Sequence, residues 1–262
     1  MKMNRKNNMS ISYESLAKMI DHSLLHPTMT DEILVKECAV AVRYDVASVC
    51  IKPYAIPLAV EALQGSQVLV GTVIGFPHGN SSTNIKVAEA AAAAEAGAVE
   101  IDMVINIGKA LGGDWVYVAD EIRQVNQAVI DRKAILKVIF ENDFMEEAHI
   151  TRLCEICSEI GAAFVKTSTG YGFVKQENGM YSYKGATEAH LKLMRKSSAP
   201  EVQVKAAGGI RTLKDLVFVQ SLGVSRVGAT ATAVMLDEAR ARLDVGENLS
   251  DLIAQASLGD GY

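Results

Sequence analysis

Apolar runs of five to seven residues recur along the chain, at 18–22, 46–51, 68–74, 98–104, 134–140, 162–167, 202–206 and 224–228. Between them lie longer stretches with the three-to-four-residue spacing of amphipathic helices, such as DEILVKECAVAV from Asp31 and EEAHITRLCEICSEI from Glu146. Continuous apolar strands alternating with helices are the pattern of a parallel sheet covered by helices, because such strands are buried on both faces. Eight of them predict an α/β fold closed as a (β/α)8 TIM barrel, which suits a chain of 262 residues. Helix starts are expected at Thr30, at Asp143 with Glu146, and at Thr212 with Asp215; stops are expected at Gly97, Gly161 and Gly223. No linker divides the chain, so residues 1–262 read as one barrel domain with a short N-terminal extension (1–10) and a flexible tail (256–262).

Two lysines interrupt this pattern. Lys166 in GAAFVKTSTG and Lys205 in VQVKAAGG each follow an apolar run and precede small residues and glycine. An ammonium is strongly hydrated and is rarely buried without a partner, so each position needs a chemical reason. Two neighbouring amines raise the cost of charging each other, which favours one as a free amine able to attack a carbonyl. Spacing alone does not choose between them, and both lysines serving only as phosphate ligands or ion-pair partners is the structural alternative.

A register links further residues to these lysines. In EAGAVEID, EIGAAFVK and SLGVSRVG the fifth residue after the glycine is Asp102, Lys166 and Gly228 respectively. That spacing predicts one common height at the carboxyl ends of three strands, where barrels carry their active sites, and Lys205 is expected at the same level. Asp102 in VEIDMVIN is a carboxylate in an apolar strand, suited to pairing with a lysine or to moving protons, and Asp21 in KMIDHSLL is a similar candidate. The turns KTSTG (166–170), AAGGIRT (206–212) and RVGAT (226–230) supply backbone N–H groups for a phosphate, with Arg211 as an added charge.

Composition narrows the partners. A net charge of −5 argues against nucleic acid or an anionic membrane surface, while a small phosphorylated ligand needs only a local positive spot. MKMNRKNNMS leads into no signal-like apolar stretch, and no run of about 18 apolar residues occurs, so a cytoplasmic protein is expected. The four cysteines, Cys38, Cys50, Cys154 and Cys157, are too few for a disulfide scaffold, and Cys154 and Cys157 are expected on the buried side of one helix rather than on a metal.

Taken together, DHSLL (21–25), VCIKP (49–53), GTVIGFPHG (71–79), EIDMVINIG (100–108), LKVIFEN (136–142), FVKTSTG (164–170), VKAAGGIRT (204–212) and RVGAT (226–230) make the chain resemble the deoxyribose-phosphate aldolases over nearly its full length. The resemblance implies a (β/α)8 barrel that reversibly cleaves 2-deoxy-D-ribose 5-phosphate to acetaldehyde and D-glyceraldehyde 3-phosphate through a lysine Schiff base. It implies neither metal nor organic cofactor, a homodimer, and a place in deoxynucleoside breakdown. By motif position Lys166 is the Schiff-base lysine, Lys205 the lysine that tunes it, Asp102 the proton relay and the terminal Tyr262 a tail residue that reaches the site. Asp21, Lys137, Thr169, Gly170, Gly208, Gly209, Gly228 and Thr230 are the expected substrate-binding residues. Two departures stand out: the long loop 171–184, with Tyr171 where some relatives carry a phosphate-binding lysine, and Ala231 after Thr230 where some have a second hydroxyl. The loop leaves room for a different sugar phosphate or a longer aldehyde, and a phosphate-binding isomerase without imine chemistry or a silent binding protein stays open on the same fold.

Overall fold

The computed structural model describes residues 11–258. The barrel strands are β1 (Ile20–Leu24), β2 (Ser48–Ile51), β3 (Leu69–Ile74), β4 (Glu100–Val104), β5 (Ile135–Ile139) and β6 (Phe164–Lys166). A two-stranded hairpin, β7 (Val174–Lys175) and β8 (Tyr181–Ser182), intervenes before β9 (Gln203–Ala207) and β10 (Arg226–Ala229) complete the barrel. All eight barrel strands pair in parallel, and β10 closes onto β1. Outside run α1 (Tyr13–Ala17), α2 (Asp31–Tyr44), α3 (Ile56–Ala62), α4 (Thr83–Glu95) and α5 (Ile107–Leu111). They are followed by α6 (Trp115–Ile130), α7 (Glu147–Ile160), α8 (Glu188–Ser197), α9 (Leu213–Ser221) and α10 (Thr232–Asp244). Among the described residues no helix is long and apolar enough to cross a membrane.

Sequence and structure agree on the strands, with β1 displaced by two residues from the expected 18–22. The Ser12 capping box starts α1, and Lys18 closes it as C-cap, so the extended segment begins only at Ile20. Thr30 caps α2 and Thr212 forms a capping box with Asp215 at α9, as expected. Gly161 closes α7 in the left-handed conformation (φ 77°), and both Cys154 and Cys157 are fully buried.

Asp143 departs from expectation. The chain turns left-handed at Glu141 (φ 59°) and makes a 3-10 turn over Asn142–Phe144, so α7 begins later, capped by Glu146 with His149 at the third helical position. The Asp143 carboxylate instead accepts the backbone N–H groups of Lys184 (2.5 Å) and Gly185 (2.9 Å). It thereby anchors the end of the long loop, which is ordered around the β7–β8 hairpin. Gly185 lies against Gly208: a Cβ on Gly208 would come within 2.9 Å of the Gly185 Cα and 3.1 Å of the Tyr183 ring. Two glycines at positive φ (69° and 86°) let these backbones touch, which brings the hairpin over the carboxyl-terminal mouth.

Candidate active site

Alternation along each strand sends every second side chain into the barrel. In this barrel that interior carries seven charged groups in one connected network. Asp102 Oδ2 accepts from Lys166 Nζ at 2.7 Å and from Lys205 Nζ at 2.7 Å. Lys205 Nζ also donates to Asp21 Oδ2 at 2.5 Å. Below them Lys137 Nζ donates to Asp21 Oδ2 (2.8 Å) and Glu100 Oε2 (2.6 Å), with Asp102 Oδ1 at 3.5 Å. Arg226 closes the network by donating to Asp21 Oδ1 (2.5 Å) and Glu100 Oε2 (2.8 Å), and Ser48 Oγ adds a fourth donor to Asp21. The Phe164 ring lies 5.5 Å from Lys137 Nζ and 5.4 Å from the Arg226 guanidinium carbon.

Counting charges identifies the odd member. Three carboxylates (Asp21, Glu100, Asp102) face four basic groups (Lys137, Lys166, Lys205, Arg226). A net charge held out of water is strongly disfavoured, so the network is balanced when one base is neutral. Among the described residues Lys137, Lys205 and Arg226 each contact at least two carboxylates, whereas Lys166 contacts Asp102 alone. Burial pushes the Lys166 amine below its ordinary range, and the Lys205 charge adds to this against the pull of Asp102. For Lys205 and Lys137 burial acts in the same direction, but the Asp102 and Asp21 carboxylates outweigh it and hold both above the ordinary lysine value. Asp21, despite burial, is kept well below the carboxylate range by Lys137, Lys205 and Arg226. Lys166 is therefore the base that gives up its proton most readily.

Above the network opens a cavity of about 540 Å³, lined by Lys166 together with Thr169, Gly170, Gly208, Gly209, Gly228 and Thr230, as expected from sequence. Its remaining wall includes Ser23, Arg211, Tyr171, Phe173 and Tyr183, the last two in edge-to-face contact at 5.2 Å. Asp21 and Lys137, expected to bind substrate, do not line it: they are 0% and 1% exposed and spend their hydrogen bonds on the network. Asp102 and Lys205 also lie beneath the cavity floor, and Tyr262 falls outside the described residues.

Asp102, Lys166 and Gly228 share one height in the tilted barrel, as expected from the glycine spacing. Asp102 pairs in register with Lys137, which pairs with Phe164, two residues below Lys166. Lys166 pairs in register with Lys205, which pairs with Arg226, two residues before Gly228. Closing a parallel barrel tilts its strands and advances the register by about one residue per strand, so an offset of two residues across two strands keeps these three residues level, with Lys205 on the intervening strand about one residue lower. Lys166 therefore meets Asp102 across the barrel interior at their common level.

Sequence reasoning missed Glu100, Arg226, Ser48 and Glu141. The first two carried a usable signal: Glu100 precedes Asp102 by two residues and Arg226 precedes Gly228 by two, so each shares the inward face of its strand. Glu141 carried none, because its role depends on the left-handed turn after β5. It is 1% exposed, and its carboxyl accepts both the backbone N–H (3.1 Å) and the hydroxyl of Thr169. Thr169 Oγ1 in turn accepts the Tyr171 N–H at 2.9 Å, so Glu141 fixes the first turn of the long loop.

Burial pushes the Glu141 carboxyl up to about 7 from an ordinary 4.5, outweighing the Thr169 hydrogen bonds. The folded protein thus holds this proton more tightly than the unfolded chain does. The associated stability is present below pH 4.5 and is lost as pH rises toward 7. Glu141→Gln keeps an acceptor oxygen without the titration, so it is expected to reduce the fall in unfolding free energy between pH 5 and pH 8 by on the order of 2–3 kcal/mol. Urea unfolding of both proteins at the two pH values measures this; parallel profiles would show that Glu141 is not the titrating group.

Comparison with known proteins places this geometry. The family model described as DeoC/LacD family aldolase matches residues 15–233. Deoxyribose-phosphate aldolase of Rhodopirellula baltica is 48% identical over 231 residues, covering 88% of this chain and 92% of the relative. A candidate deoxyribose-phosphate aldolase structure from Coccidioides immitis superposes with a TM-score of 0.80 at 38% identity, covering 88% of each chain. The tetrameric deoxyribose phosphate aldolase of Aeropyrum pernix gives 0.77 at 27% identity, over 87% of this chain and 92% of that one. With the match to its model spanning most of the barrel, the chain belongs to the DeoC/LacD family of aldolases.

Proposed function

We propose that the protein is a class I aldolase that reversibly cleaves 2-deoxy-D-ribose 5-phosphate to acetaldehyde and D-glyceraldehyde 3-phosphate. The reading rests on one observation above all: Lys166 is the surplus base of a buried network and the one member of that network lining the cavity. A neutral amine there is a nucleophile, while the remaining three cations match three carboxylates.

In this reading the Lys166 amine adds to the C1 aldehyde of the open-chain sugar, and the carbinolamine loses water to give a protonated Schiff base. Removal of the proton from the C3 hydroxyl breaks the C2–C3 bond, with the electron pair drawn into the iminium. D-glyceraldehyde 3-phosphate leaves, C2 of the enamine is protonated, and hydrolysis frees acetaldehyde and Lys166. Asp102 serves these proton transfers together with Lys205. Its Oδ2 touches both amines, and its Oδ1 accepts no hydrogen bond among the described residues. Lys205 stays protonated and keeps Lys166 neutral between cycles. The phosphate is assigned to the far rim of the cavity, where Gly170, Gly208, Gly209, Gly228 and Thr230 leave the backbone accessible beside Arg211. Tyr171, edge-on to Phe76 at 5.6 Å, adds an aromatic wall to that region rather than a charge.

Borohydride reduction in the presence of acetaldehyde tests the assignment. An ethyl group on Lys166, located by peptide mass analysis, is the expected result; absence of an adduct on any lysine would overturn it. The same reading places the enzyme in the cytoplasm as a homodimer, the commonest closed assembly.

A further inference from the structure

Glu100 and Arg226 are the first residues of β4 and β10 and lie at the amino-terminal end of the barrel, on the opposite side of the network from the cavity. Neither lines the cavity or touches Lys166, yet both are bound into the chain of ion pairs that ends there. Arg226 bridges Glu100 and Asp21, and Asp21 is shared with Lys205 and Lys137. Burying this pair by itself has little merit for stability, since a desolvated ion pair seldom outdoes apolar packing. We propose that Glu100 and Arg226 are positioning residues of opposite sign that set, from the closed end of the barrel, the charge facing Lys166. The inference rests on the reading of Lys166 as the nucleophile.

Charge balance makes the proposal directional. With Glu100 neutralised, two carboxylates face Lys137, Lys205 and Arg226, and the surplus positive charge discourages Lys166 from taking a proton. With Arg226 neutralised, three carboxylates face Lys137 and Lys205, and Lys166 becomes the missing third cation. The other groups facing Lys166 stay in place in both cases: Asp102 from β4, Lys205 from β9, Cys50 from β2 and Glu141 after β5. Glu100 is faced by Lys137 and Arg226, and Arg226 by Asp21, Glu100 and the Phe164 ring. A general loosening of the barrel would move Lys166 the same way in both variants, whereas the electrostatic role moves it in opposite ways.

The decisive measurement is the pH dependence of Lys166 acetylation by trace acetic anhydride in the full-length protein, read by peptide mass spectrometry. Glu100→Gln is expected to lower the titration midpoint by about one pH unit and Arg226→Gln to raise it by about as much. Glu100→Gln/Arg226→Gln, with two carboxylates and two permanent cations, should return it close to the parent. Midpoints that stay put, or that shift together in one direction, would overturn the proposal. If Arg226→Gln does not fold, Glu100→Gln and the double variant decide: a lowered midpoint restored by the second substitution supports it, and any other pair of results overturns it. This readout needs no substrate, so loss of the acetaldehyde adduct on Lys166 in the parent protein would remove the aldolase assignment while leaving the acetylation result interpretable.

Discussion

Lys166→Arg is expected to lower turnover of 2-deoxy-D-ribose 5-phosphate by roughly 10⁴-fold or more, because a guanidinium stays protonated and cannot form an imine. A coupled assay for released D-glyceraldehyde 3-phosphate measures this, and substantial residual cleavage would exclude Lys166 as the nucleophile. The charge count adds a second, independent expectation. A permanent cation at position 166 leaves four positive groups against Asp21, Glu100 and Asp102, so the variant should also unfold at lower denaturant. Lys166→Met is equally unable to form an imine but leaves three cations against three carboxylates. It should be as inactive as the arginine variant and clearly more stable. Equal stability of the two variants would mean that Lys166 is charged in the resting protein.

Lys205→Leu is expected to reduce activity near neutral pH by about 10²-fold or more and to move the acid limb of the pH profile upward by at least about one unit. Lys205 contacts both Asp21 and Asp102, so its removal leaves three carboxylates facing Lys137 and Arg226, with Lys166 the remaining base. Lys166 then takes up a proton to balance them and ceases to be a nucleophile until the pH is raised. The sign follows from the network: Lys166 is held below its ordinary value in the parent, and the variant removes a cation that lowers it. Partial recovery of kcat/KM at alkaline pH is the diagnostic, since a variant damaged only in packing would be impaired at every pH. An unmoved acid limb would assign Lys205 a role other than tuning.

Much of this molecule is legible along the chain because the relevant signals are local. Apolar runs without alternation mark strands covered on both faces, and Thr30, Thr212, Gly161 and Gly223 punctuate the helices through hydrogen bonds made within a few residues. Lys166 and Lys205 stand out for the same reason, as charges in runs that are otherwise apolar. Asp143 shows where local reasoning misleads: it resembles a helix cap in sequence, but a left-handed residue two positions earlier redirects it to the loop around the hairpin, 41 and 42 residues downstream.

The periodicity of the chain by itself determined the barrel, its eight strands and the presence of two lysines and a carboxylate in its interior, because side-chain alternation and helix spacing are short-range properties. Only the tertiary structure decided which amine is the surplus one. That depends on the stagger of the closed barrel, which sets Asp102 level with Lys166 and brings Asp21 to Lys205 across 184 positions of sequence. It also brought in Glu100 and Arg226, whose charges matter only once the strands that carry them share one interior out of reach of water. Protonation in such a place is a property of the whole network, so no stretch of sequence around Lys166 could specify it.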